Sequence, residues 1–231
     1  MNHYDAQSNR HARELLRIAC AGVLTASLLQ PVNADGLRPP DLSPGSPLIV
    51  TAAEGRLFRI GYAVGTQQYV CRSSVNSLRV TSYGWTLFGP QATLFKDANL
   101  TKQNMTHFQS SNPLEDDPLD LSVGGLPRPT WQDSKDTSAV WAQPPVPIAT
   151  VDAPACDDDG DASTPAIASI PLLKLGVGAD PVGPTGKLTL ATFIQRLNTC
   201  GGVAPATGCT EAGHVGRKAL IPYRADYYFY K

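Results

Sequence analysis

Pro222-Tyr223-Arg224-Ala225-Asp226-Tyr227-Tyr228-Phe229-Tyr230 is the stretch that decides the fold. Tyr223, Ala225, Tyr227 and Phe229 alternate with Arg224, Asp226, Tyr228 and Tyr230. Successive side chains of an extended strand point to opposite faces, so this period of two marks a strand with one buried face. A helix would need its apolar residues spaced three and four apart. The second face is rich in tyrosine and reads as an outer surface rather than a platform for a ligand.

Working back along the chain, the same grammar recurs in short runs. Leu57, Ile60, Tyr62 and Val64 are interleaved with Arg59 and Gly61, and Gln67 to Cys71, Leu78 to Tyr83, Trp85 to Phe88 and Ala92 to Phe95 follow. Gly, Pro, Asn or Asp bounds each run, as is usual for strands. Leu188 to Leu197 fits either period, and its threonines and the surrounding strands favour strand. Asn99 to Pro129 and Pro144 to Pro171 are polar and proline-bearing, so both read as long surface loops. The whole is an all-β, single antiparallel sandwich or jelly-roll-like domain with two long loops, over 55–231. Gly176 to Gly186 is no dinucleotide loop, because Pro181 stands at the third glycine position and no helix follows.

The first 34 residues read differently. Arg10, Arg13 and Arg17 precede the apolar run Ile18 to Leu29, and Val32-Asn33-Ala34 supplies small residues for cleavage. That is the grammar of a secretory signal peptide. The run is too short to span a bilayer, which needs roughly 20 apolar residues. Arg17 stands where a lipid-attachment site at Cys20 would want an aliphatic residue. Residues 35–54 then form an extended, Pro- and Gly-rich lead-in. The expected address is secreted or periplasmic, with no membrane span after signal cleavage.

Without Cys20, four cysteines remain: Cys71, Cys156, Cys200 and Cys209. An even number in an exported chain reads as two disulfides, and four cysteines allow three pairings. The net charge of −1 leaves no electrostatic footprint for nucleic acid. No cofactor motif is present, and the expected partner is an unknown extracellular ligand or surface component.

A linked series of residues carries a family likeness. Gln68-Tyr69-Val70-Cys71, Trp85, Gly89-Pro90-Gln91-Ala92-Thr93-Leu94-Phe95, His107-Phe108 and Pro129-Thr130-Trp131 come first. Gln195-Arg196-Leu197-Asn198-Thr199, Gly201-Gly202-Val203-Ala204-Pro205, Gly208-Cys209 and the terminal strand complete it. From Gly55 to Lys231 the chain resembles a family of secreted bacterial and fungal proteins known only as a domain of unknown function. Some fungal members carry an automatic malate dehydrogenase label, which the missing nucleotide loop does not support. The resemblance implies a secreted all-β domain and brings no activity, cofactor or catalytic residue. It departs from the family pattern in the stretch inserted between Phe108 and Arg128, and in Cys156 and Cys200, which are additions. The implied pairing is Cys71–Cys209 with Cys156–Cys200, and a local Cys200–Cys209 bridge across the Gly-Gly turn competes with it.

Each chemical candidate has a bland counterpart. His107 could serve as a base or metal ligand beside Asp133 or Asp136, in a hydrolase or metal-dependent enzyme. The absence of a nucleophile elbow and of His-Glu-x-x-His favours a hydrogen-bonded structural histidine. Arg196 could hold an anion, or form an internal ion pair with Asp226 or Asp133. Trp85 and Trp131, with Tyr69 and Trp141, could line a carbohydrate groove, although such residues in a β-domain are more often core. Asp157, Asp159 and Asp161 could bind calcium, but their spacing is not that of an EF-hand, which leaves a solvated loop as the default. Asn99 and Asn104 head acceptor sequons that matter only in a glycosylating host. The reading this favours is a non-catalytic binding or surface module.

Overall fold

The computed structural model describes residues 36–110, 128–143, 147–157, 165–180 and 183–231. Nine strands carry them: β1 (Leu57–Val75), β2 (Thr81–Phe95), β3 (Gln103–Ser110), β4 (Arg128–Asp133), β5 (Ala139–Ala142), β6 (Ala149–Val151), β7 (Leu172–Ala179), β8 (Phe193–Gly201) and β9 (Lys218–Tyr230). They form one antiparallel sheet in the order β5-β4-β3-β2-β1-β9-β8-β7-β6. The all-β antiparallel expectation therefore holds. The two packed faces belong to a single sheet that closes on itself, because β5 also pairs with β7 through Val140–Ala179, Trp141–Gly178 and Ala142–Val177. β6 takes the rest of that β7 edge, opposite Leu172 to Lys174. Closure leaves few backbone donors and acceptors unpaired, which is how a barrel avoids exposed strand edges.

The interior is filled by setting small residues beside large ones. On β1, Gly61, Ala63 and Gly65 face inward, directly opposite Tyr227, Ala225 and Tyr223 of β9. A β-carbon at Gly61 would lie 2.7 Å from Leu94 Cδ2 and Met105 Cε, so glycine is what lets these side chains cross the barrel. Trp131, Tyr227, Phe229, Leu94, Met105, Val140 and Ile194 build the core around that space. Alternation of bulk is the general solution for small barrels, whose interiors taper.

The outer face of β9 is not left to solvent. Tyr228 and Tyr230 are buried in a second cluster with Leu48, Leu57 and Leu197, against which Leu37, Leu42 and Val50 pack. The lead-in is thus packed onto the outer face of the sheet. Its backbone is held by buried side chains: Gln195 Nε2 donates to Leu48 O, and Lys174 Nζ donates to Ile49 O and to Glu54 Oε1. Burying these apolar side chains contributes about 1.5–3 kcal/mol each.

Three other readings change. Gln103 to Ser110, inside the first expected loop, is strand β3, paired with both β2 and β4. Its alternation is polar-looking because His107 and Asn104 occupy buried positions that usually hold aliphatic residues. Leu188 to Leu197 is divided: Leu188–Leu190 form a 3-10 turn and β8 begins at Phe193. The runs expected on either side of Val64 and Phe88 merge into the long strands β1 and β2, which pair from Tyr62–Phe95 out to Val75–Thr81.

The cysteines are bonded as Cys71–Cys209 and Cys156–Cys200. The first ties the end of β1 to the segment that leads into β9. The second ties the β6–β7 connection to the end of β8, where Gly201 and Gly202 adopt φ of 76° and 83°. A side chain at Gly201 would run into the Pro222 carbonyl, so this left-handed turn needs glycine. Each bridge stabilises by about 2–4 kcal/mol through restriction of the unfolded chain. The first 34 residues lie outside the described residues, as do Asp159 and Asp161. Asp157 is described, and among the described residues no group of three or more His, Cys, Asp or Glu side chains could hold a metal ion.

Candidate functional site

His107 points into the barrel from β3, and register sets it opposite Trp131 of β4. The two rings stack at 4.1 Å with an interplanar angle of 8°, and Tyr227 meets both edge-on at 5.2 and 5.6 Å. Nδ1 lies 2.8 Å from the Thr130 carbonyl. Burial pushes the imidazole down to about 3, against the Thr130 hydrogen bond, and the nearby Arg196 charge adds to the fall. The ring is therefore neutral near pH 7, with its proton on Nδ1, where it donates to Thr130 O. Trp131 is 1% exposed and its buried Nε1 has no partner. Among the described residues no hydrogen bond joins His107 to Asp133 or Asp136.

The partner expected for Arg196 is corrected. Its Nε and Nη2 both donate to Pro171 O, at 3.1 and 2.7 Å, and neither candidate carboxylate pairs with it. Strand parity explains this. Arg196 lies opposite Tyr227, on the inward face, whereas Asp226 lies opposite Leu197, on the other face, and accepts from Asn198 Nδ2. Asp133 is engaged by Arg59. The guanidinium charge instead acts on the Tyr69, Tyr223 and Tyr227 hydroxyls, moderating the rise that burial causes in each.

The tryptophans do not converge. Trp131 is sealed in the core, and Trp85 on β2 donates Nε1 to Thr207 O at 2.8 Å, bracing the segment that Cys209 anchors. Trp141 is buried, with the Arg128 guanidinium 5.8 Å from its ring centre. Asn104 is 3% exposed and donates Nδ2 to Ile60 O, so its sequon is closed to a glycan, while Asn99 is exposed.

One end of the barrel carries an open cleft of about 500 Å³. Phe58, Ile60, Tyr62 and Leu37 line its apolar side, and Arg59, Asn104, Asp133 and Asp136 its polar side, with Lys96, Lys135 and Lys187 around them. Asp133 is 2% exposed. Its Oδ2 pairs with Arg59, and Oδ1 accepts from the Lys135 and Asp136 amides at 2.6 and 3.2 Å. Burial pushes this carboxyl up, but the Lys135 amide, Arg59 and the Asp136 amide outweigh it, and the group ends below its ordinary range. Asp136 accepts from the Lys187 amide at 2.9 Å and from the Ser138 hydroxyl and amide, which also lower it. Both carboxylates are thus charged and used up by the fold. Among the described residues none pairs with the ammonium groups of Lys96, Lys135 or Lys187.

The sequence signal for this cleft was weak. Asp133-Ser134-Lys135-Asp136 is recognisable as a turn that an aspartate caps, but nothing local links it to Arg59, Lys96 or Lys187. The sequence pattern of the family described as "Protein of unknown function (DUF3455)" matches residues 52–231. The chain belongs to this DUF3455 family. No curated protein and no solved structure matches it.

Proposed function

We propose that this DUF3455 protein is exported and acts as a non-catalytic module, secreted or periplasmic, that binds a ligand or contributes to a surface structure. The observation that carries this reading is the sealing of His107. A general base must reach the proton it removes, and must be poised near the operating pH. His107 is stacked on Trp131 with Tyr227 edge-on to it, hydrogen-bonded to backbone, and its proton equilibrium lies far below that range. The carboxylates considered as its partners, Asp133 and Asp136, are engaged by Arg59, backbone amides and Ser138.

Export is supported by the signal-like first 34 residues and by two disulfides, which persist in oxidising compartments. No helix among the described residues is long and apolar enough to cross a membrane. The test is a broad hydrolase screen of the oxidised protein, run with the native chain and with His107→Phe. No turnover is expected from either. Turnover by the native chain that His107→Phe abolishes, with the fold retained by circular dichroism, would sink the reading.

A further inference from the structure

We infer that the cleft at the Arg59–Asp133 end of the barrel binds an acidic oligosaccharide, a glycan that carries carboxylates along with its hydroxyls. Size is the first argument. About 500 Å³ is in the range of pockets that hold small ligands, and accommodates one or two sugar rings. Charge is the second. Four cations, Arg59, Lys96, Lys135 and Lys187, face two carboxylates, Asp133 and Asp136. Those carboxylates are already saturated by Arg59, Ser138 and backbone amides, so the lysines are the groups left to meet a ligand. Lysine ammonium groups on flexible stems act as point charges, and so can meet anionic groups spaced along a chain without demanding one fixed geometry.

A buried amide decides the class. Asn104 lines the cleft, is 3% exposed, and its Oδ1 has no hydrogen-bond partner. An orphaned buried acceptor calls for a donor, and because this oxygen is shut off from solvent, a ligand hydroxyl meets it when the Asn104 side chain turns toward the cleft. A sulfate or ionised phosphate ester has acceptors to offer, whereas a sugar supplies hydroxyl donors and, when acidic, the negative charge as well. Tyr62 and Phe58 complete the site with aromatic surface beside the polar groups, the usual way an apolar sugar face is met.

The inference uses the module reading only for where the ligand is encountered. Calorimetry on the oxidised full chain tests it, with trigalacturonate, maltotriose and inorganic sulfate as probes. Trigalacturonate should bind, and more weakly as salt is raised. Maltotriose and sulfate should bind at least about tenfold less tightly. The combined Lys96→Ala, Lys135→Ala, Lys187→Ala variant should lose about tenfold in affinity with its thermal midpoint unchanged, since exposed lysines contribute little to stability. No binding of trigalacturonate, sulfate or maltotriose binding as tightly, or an unaltered affinity in the triple variant would each overturn it. Cleavage of trigalacturonate would leave the cleft standing and remove the non-catalytic reading instead.

Discussion

His107 and Asp133 sit on adjoining strands and are equally buried, 3% and 2% exposed, yet the barrel treats them in opposite ways. Both have their proton equilibria pushed down. For the histidine this means loss of charge, because desolvation dominates and one carbonyl is its hydrogen-bond partner. For the aspartate it means retention of charge, because two backbone amides and Arg59 outweigh the desolvation. Two residues along β4 separate a dry, aromatic interior at Trp131 from a charged rim at Asp133. Burial by itself does not set the charge of a group. The partners that stabilise its charged form do. That contrast is why the interior reads as structure and the rim as the place for a ligand.

The largest expected effect breaks the rim. Asp133→Ala leaves Arg59 without its carboxylate and frees the Lys135 and Asp136 amides, and should cost about 3 kcal/mol in chemical denaturation at pH 7. A loss below about 1 kcal/mol would show that the pair is far better solvated than its burial indicates.

Next comes the acid limb of stability, which separates the two residues by pH. His107 is neutral when folded down to about 3, whereas an unfolded histidine protonates near 6.5. The unfolded chain therefore binds the extra proton across that window, and stability falls as the pH drops from 6.5 toward 3, by up to about 1.4 kcal/mol per pH unit. Asp133 contributes stability above the ordinary carboxylate value of 3.8, and loses it only as the pH falls through its lower folded value. His107→Phe keeps a ring on Trp131 and should flatten the first decline while leaving the second. Urea denaturation at a series of pH values reads both.

A smaller effect tests the packing that keeps the interior dry. Gly61→Val should cost on the order of 1–3 kcal/mol by pressing on Leu94 and Met105. The smallest concerns salt. Raising sodium chloride from 0.1 to 1 M should alter stability by less than about 0.5 kcal/mol, because the buried Arg59–Asp133 pair is poorly screened. A marked loss would mean that the Arg59–Asp133 pair is itself open to solvent.

What the sequence by itself determined was whatever depends on near neighbours. The alternation from Tyr223 to Phe229, and the glycine-spaced run after Leu57, suffice for antiparallel strands and for which residues share a face. Four cysteines outside the signal-like segment suffice for two bridges, and the family likeness is carried by motifs read in order. Only the tertiary structure decided the rest. Pairing of β5 with β7 closes the sheet, and the lead-in covers the outer tyrosines of β9, both through contacts between segments remote in sequence. Arg196 was denied the expected carboxylates because strand parity sends its side chain inward and Asp226 the other way. The cleft needed residues from the lead-in, β1, the end of β2, β3, the end of β4 with the turn after it, and the segment before β8. Local pattern fixes which way a side chain points, but whether that direction ends in a core, a carbonyl or an open cleft depends on the strand that register places beside it.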